Sequence, residues 1–237
     1  MTVLNGIPFN NMDPRELPTY TPTEAAGYLR MPVSTLRTWV FGYKPRAASR
    51  RIPSIIKVPN QSASLLSFYN LVEGHMLSSI RDEHQIPFAK IRAAVKYLED
   101  RLKTTRPLAS QSFETDGVNL FIRQLGGLIN VSQGGQVAMG KVLRIYLKRI
   151  EWDKNGLAVR LFPYVRPGVP QAEQPRTVLM DPTISSGRPV LVGTGIATKV
   201  VAERYLAGES TDELAADYGQ GRATIDEVLR FELRAAA

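Results

Sequence analysis

The chain has no cysteine and only two histidines in 237 residues. The first absence excludes disulfides, thiolate metal centres and thiol nucleophiles, and it is compatible with a reducing cytosol. The second leaves little for imidazole chemistry: His75 and His84 have Glu73, Asp82 and Glu83 nearby, at no spacing that makes a ligand set. Neither a metal nor another cofactor is expected. Long apolar runs are also missing. No segment supplies the roughly 18 apolar residues of a membrane helix, and the start, MTVLNGIPFNNMDPRELP, has neither a basic nor an apolar leader region. A soluble cytoplasmic protein with no membrane partner is expected. No Ser-His-Asp set, paired-carboxylate motif or metal cluster is legible. The stretches GGLINVSQGG and GTGIATK lack the spacing of phosphate-binding and dinucleotide-binding loops. An enzyme is the least supported function class.

What the chain does have is charge, unevenly spread. Its net charge is +8. Residues 1–110 hold 15 Lys and Arg against 8 Asp and Glu, residues 111–176 hold 9 against 5, and residues 177–237 hold 6 against 9. A basic first part suggests a polyanion partner, and an acidic end suggests a partner of another kind. The length and a hydrophobic content of 43% allow two domains with cores of their own.

The stretch YTPTEAAGYLRMPVSTLRTWVFG reads as two short helices meeting at a tight turn. Thr21 or Thr23 caps the first, Met31-Pro32 breaks it, and Ser34 caps a second running to about Phe41. At 100° per residue Val33, Leu36 and Val40 share an inner face with Trp39 at its edge, whereas Ser34, Thr35 and Thr38 point away with Arg37 on the flank. A small, hydroxylated and cationic outer face suits a helix entering the major groove of double-stranded DNA. Lys44, Arg46, Arg50 and Arg51 follow in a loop that reads as a wing gripping phosphates, and SIIKV reads as its returning strand. On Thr21, Glu24, Ala25, Ala26, Leu29, Thr35, Leu36 and Arg37 this segment resembles the MerR-type winged helix-turn-helix, although Thr38 stands where that family usually has an aromatic. The resemblance implies operator binding.

Two further helices look like support. In the second, Phe88, Ile91, Val95, Leu98 and Leu102 form a narrow stripe, a candidate homodimer seam that could equally pack within its own domain. SQSFETDGVNLFIRQLGGLINVSQGGQVAM, with its Asp-Gly and Gly-Gly pairs, reads as a small hairpin or meander. A helix from Gln136 to Ile150 and a strand in GLAVRLFPY are expected after it. Lys141, Arg144 and Lys148 form a basic line on that helix. RPGVPQAEQPR reads as a semi-extended linker. The expected fold is mainly α (α+β). It comprises a winged helix-turn-helix domain with supporting helices (1–106), an α+β middle segment containing a β-hairpin (107–165), a linker (166–176) and a three-helix, helix-turn-helix-like domain (177–237).

In the last domain Thr198 is the expected cap of KVVAERYLA, and Ser210–Glu213 and Thr224–Glu227 are the expected capping boxes of the next two helices. Glu209, Asp212, Glu213, Asp217, Asp226 and Glu227 would meet phosphates at a repulsive cost, so DNA is not its partner. Asp181–Ile184, Gly187–Val190, Gly193–Ile196 and Ala207–Ser210 resemble, in order, four elements of domain of unknown function 433, found in VapB-type antitoxins. That resemblance implies a PIN-like ribonuclease toxin, neutralised by complex formation. Asp212, Glu213, Asp217, Asp226 and Glu227 would meet its cationic surface, while Arg188, Arg230 and Arg234 are candidates to enter its acidic metal site. The implied function is an antitoxin and autorepressor; the alternative is a stand-alone MerR-like regulator answering a small molecule.

Overall fold

A computed structural model of the chain describes residues 3–4, 7–8, 12–44, 51–59, 64–84, 86–129, 132–166, 168–170 and 173–233. It is mainly helical and divides into two compact units, Met1–Val159 and Arg160–Ala237. Among the described residues no helix is long and apolar enough to cross a membrane.

The first unit opens with a short antiparallel pair, β1 (Val3–Leu4) and β2 (Ile7–Pro8). Helix α1 (Pro22–Tyr28) starts on a capping box: Thr21 Oγ1 accepts the Glu24 amide at 3.2 Å, and Glu24 Oε2 accepts the Thr21 amide at 2.9 Å. After Arg30, in the left-handed region at φ 54°, helix α2 runs from Val33 to Phe41. Its N-cap is Pro32, so the helix begins two residues earlier than a Ser34 cap requires, and no side chain caps it. Gly42 ends it at φ 68°, where a Cβ would lie 2.2 Å from the Ile52 carbonyl oxygen.

The central support is α3 (Phe68–His84), whose residues 68–80 are all buried. Ser67 and Asn70 bond each other's amides at its start, at 3.0 and 3.4 Å. Gly74 lets the α1–α2 pair approach, since a Cβ there would lie 2.7 Å from Leu29 Cδ1 and 3.8 Å from Leu36 Cδ1. His75 faces another way and donates from Nε2 to the Tyr146 carbonyl at 3.2 Å. Burial pushes its imidazole down to about 3. Glu73 is buried too, and its carboxyl is pushed up to about 7. The Asn70 amide at 3.2 Å and Arg106 at 3.6 Å offset that burial only in part.

Helix α4 (Phe88–Leu102) buries Ile91, Val95 and Leu98 within the unit and packs on α5 (Val118–Ile129). Three residues of the stripe considered as a dimer seam are thus core, and its ends, Phe88 and Leu102, are half-buried. Helix α5 also corrects the hairpin expected between residues 111 and 140. It follows a π-helical turn at Phe113–Gly117 and buries Val118, Phe121, Ile122 and Leu125 at i, i+3, i+4 and i+7. Of the glycines read as turns, Gly126 is a crossing point, where a Cβ would sit 2.7 Å from the Gln136 side chain, whereas nothing lies within 4 Å of a Cβ on Gly127 or Gly134. Helix α6 (Gln133–Leu147) begins three residues before the expected Gln136. The hairpin of this region comes later, as β3 (Ile150–Trp152) with β4 (Ala158–Leu161).

In the second unit β5 (Val178–Leu179) pairs antiparallel with β6 (Val190–Leu191) over Phe162, and three helices follow: α7 (Thr198–Leu206), α8 (Thr211–Asp217) and α9 (Arg222–Leu233). The Ser210–Glu213 capping box is present. The other two expected caps are not. Thr198 is the first residue of α7, its hydroxyl donating to the Pro189 carbonyl and Glu232. Helix α9 begins two residues before Thr224. In the expected linker the Gln174 side-chain amide bonds the Arg166 amide and carbonyl and the Val169 carbonyl, and Arg166 pairs with Glu227 of α9 at 3.0 Å.

Candidate nucleic-acid interface

Helix α2 divides as its sequence pattern requires. Leu36, Trp39 and Val40 are buried, Ser34 and Arg37 are exposed, and Thr35 and Thr38 are half-buried between them. Thr38 Oγ1 donates to the Ser34 carbonyl at 3.0 Å, which leaves its oxygen as an acceptor on the outer face. Arg37 lies over the Phe41 ring one turn on, its guanidinium carbon 5.3 Å from the ring centroid. Such stacking limits the freedom of a long side chain before any partner arrives. Phe41 has no place in the sequence reading, although the i, i+4 Arg–Phe spacing was its signal.

The loop after α2 is closed by a two-way backbone bridge. The Tyr43 amide donates to the Ile52 carbonyl at 3.0 Å and the Ile52 amide to the Tyr43 carbonyl at 2.8 Å. Among the described residues SIIKV forms no strand; the Ile55 and Ile56 amides both donate to the Trp39 carbonyl, which fastens this segment to α2 instead. Lys44 is exposed. Arg51 is exposed and donates from Nη2 to the Phe41 carbonyl at 2.6 Å, where the negative end of α2 favours a cation. Arg46 and Arg50 lie outside the described residues. Arg37, Thr38 and Arg51 line a cleft of about 660 Å3 with Ser54 and Ser64, and among the described residues no carboxylate lines it. Cations and hydroxyls on a concave surface of this kind suit a sugar-phosphate backbone.

The acidic groups of the second unit are largely held by partners. Arg204 bonds Glu209 through two nitrogens and reaches Asp217; that pairing holds the Glu209 carboxyl below its usual range. Asp212 pairs with Arg222 at 3.0 Å. Glu213 accepts the Ser210 amide, which lowers its pKa. Asp212, Glu213 and Asp217 are exposed together on α8, and Asp226 is half-buried on α9. Glu227 departs from the expected surface role: it is 8% exposed and bound by Arg166 and Arg230. Arg188 and Arg230 are exposed, and Arg234 lies outside the described residues. Leu229 and Phe231 belong to the core. Exposed apolar surface occurs instead on α7, at Val200, Tyr205 and Leu206, the last 70% exposed. Tyr205 borders a groove of about 300 Å3 shared with Thr211, Asp226, Leu229, Arg230 and Leu233.

A family model described as "Putative DNA-binding HTH domain" matches residues 18–95, and one described as "Protein of unknown function (DUF433)" matches residues 178–231. The Mycobacterium tuberculosis protein named "Putative antitoxin VapB45" is 30% identical over 227 residues, spanning 86% of this chain and 89% of that protein. The chain belongs to the VapB-type antitoxin family. A second relative of this antitoxin, "Uncharacterized protein Rv2308" of the same organism, is 25% identical over 224 residues, spanning 90% and 89% of the two chains. The crystal structure of Rv2018 from Mycobacterium tuberculosis shares the antitoxin's fold, with a TM-score of 0.64 at 24% identity over 90% of this chain and 97% of that one. The antitoxin's matched helix-turn-helix region contains both α1 and α2, and its DUF433 region contains β5 to α8 and most of α9.

Proposed function

We propose that this antitoxin represses its own operon as a homodimer, with α2 held in the major groove of operator DNA, and that its second unit binds and neutralises a PIN-like ribonuclease toxin. The observation that carries the reading is the division of α2 into a buried Leu36–Trp39–Val40 face and an outer Ser34–Arg37–Thr38 face, with Arg37 stacked on Phe41 beside a cleft that no carboxylate lines among the described residues. Such a helix reads bases through its short polar and cationic groups, while Lys44, Arg46, Arg50 and Arg51 contact flanking phosphates. A dimer doubles the half-sites read.

In the second unit Asp212, Glu213, Asp217 and Asp226 steer a cationic partner, and Tyr205 and Leu206 supply the apolar anchor that durable inhibition needs. Arg188, Arg230 and Arg234 remain the candidates to enter an acidic nuclease site. The DNA reading is tested on duplex DNA from upstream of the gene. Arg37→Ala should weaken binding by about 1–3 kcal/mol, and loss of Lys44 should mainly reduce the salt slope by about one unit. Unchanged binding by an Arg37→Ala, Arg51→Ala double variant would sink it.

A further inference from the structure

Helices α5 and α6 have no part in the reading above, yet their outer surface is strongly basic. They meet along a groove of about 580 Å3 lined by Arg123, Lys141 and Arg144, with the amides of Asn119, Gln133 and Gln136 between them and, among the described residues, no carboxylate. On α6 Lys141, Arg144 and Lys148 stand at i, i+3 and i+7, all exposed, which makes a cationic line about 10 Å long on one face. Among the described residues none of these four cations has an ion-pair partner; Arg144 donates to the neutral amide oxygen of Asn119 at 3.2 Å. On α4, by contrast, Lys96 lies between Glu99 and Asp100.

The line is also fixed relative to the reading helix. Tyr146 of α6 is locked to α3 through His75, by the 3.2 Å bond and by rings 4.7 Å apart. The preceding residue of α3, Gly74, receives Leu29 and Leu36 of the α1–α2 pair. Two helix packings of 8–10 Å each therefore separate α6 from that pair, about 20 Å in all. One turn of duplex is about 34 Å. Duplex DNA carries one negative charge per about 1.7 Å of axis, so a bare cationic line at this distance finds phosphates along its whole length. A second copy of the chain is a poor occupant, because an isologous contact would set these cations against each other.

We propose that Lys141, Arg144 and Lys148 form a second contact to the phosphate backbone of the DNA that α2 reads, flanking the site contacted by the helix-turn-helix. This rests on the reading of α2 as the DNA-contacting helix. The test uses the full chain, the duplex from upstream of its gene and salt between 50 and 200 mM. For the variant Lys141→Ala, Arg144→Ala, Lys148→Ala, the dependence of log affinity on log salt should become shallower by about three units. Hydroxyl-radical protection should be lost at the outer phosphates while the central protection stays. The charge-keeping variant Lys141→Arg, Lys148→Arg should retain the parent slope and footprint. An unchanged slope and footprint in the triple alanine variant, with Arg37→Ala still weakening binding, overturns the second contact and leaves the α2 reading standing. A parent chain that fails to bind the duplex overturns both. A triple variant that binds DNA like the parent but loses an acidic protein partner overturns the DNA assignment of this face.

Discussion

Replacing Glu73 by Gln should reveal an acid sensitivity that the native chain masks. Glu73 and His75 are two residues apart on α3, 6% and 1% exposed, and burial moves them in opposite senses, the carboxyl up to about 7 and the imidazole down to about 3. The folded chain holds the Glu73 proton more tightly than the unfolded chain does, so stability falls as pH rises from about 4.5 to 7 and stays at its lower level above. For His75 the unfolded chain is the better proton acceptor. Its contribution is intact above about 6.5 and is lost as pH falls toward 3. Between pH 8 and pH 5 linkage gives a loss of about 2 kcal/mol from His75 and a gain of between about 2 and 3 kcal/mol from Glu73. The two nearly cancel. Urea unfolding at pH 5, 6, 7 and 8 should therefore show a flat profile for the native chain, whereas Glu73→Gln should be more stable than native at pH 8 and lose about 2 kcal/mol on going to pH 5. Parallel profiles for the two proteins would refute the assignment of opposed titrations to this helix.

Two further outcomes follow from the surfaces described above. Leu206→Glu with Asp212→Lys should abolish inhibition of the proposed PIN-like ribonuclease toxin, measured by RNA cleavage after co-purification; full inhibition by this variant would remove α7 and α8 from the proposed toxin interface. Light scattering should give twice the chain mass plus that of the duplex when operator is present, and a monomer at all concentrations, with or without DNA, would end the dimer reading.

The parts of the fold legible in the sequence are those fixed by neighbours in the chain. Thr21 and Glu24 close their capping box within four residues, as do Ser210 and Glu213, and the buried face of α2 follows from a 3.6-residue period. Helix α5 was misread because Asp-Gly and Gly-Gly pairs were given more weight than the helical spacing of Val118, Phe121, Ile122 and Leu125. Gly126 is small because Gln136 of the next helix crosses there, and no local pattern carries that information. SIIKV has strand composition, yet its amides find the Trp39 carbonyl rather than a strand. Glu227 looked like a surface acid for the same reason: one of its partners, Arg166, is 61 positions away in sequence. The exposed residues of α2 were readable because exposure on a short helix is periodic. The exposed apolar end of α7 was not, since Tyr205 and Leu206 look like core until the helices are packed.

The charge separation between the ends of the chain has a different meaning in each. In the second unit Asp212, Asp217 and Glu209 already face Arg222 and Arg204, and Glu203 faces Lys199 at 3.6 Å. A partner's cation would have to replace an existing neighbour, and exchanging one exposed pair for another is worth little. Under the proposed toxin-binding role, the negative charge of this unit would guide an encounter but contribute little to its lifetime, and affinity would fall to Val200, Tyr205 and Leu206 and to whatever enters the groove beside them. In the first unit the balance is reversed. Arg37 is stacked on Phe41 rather than paired with an acid, and among the described residues the α6 line has no acid beside it, so counterion release on binding a polyanion is available in full. Under the proposed assignments such an antitoxin would hold DNA through a salt-sensitive surface and a toxin through a salt-tolerant one, and rising ionic strength should separate the two activities.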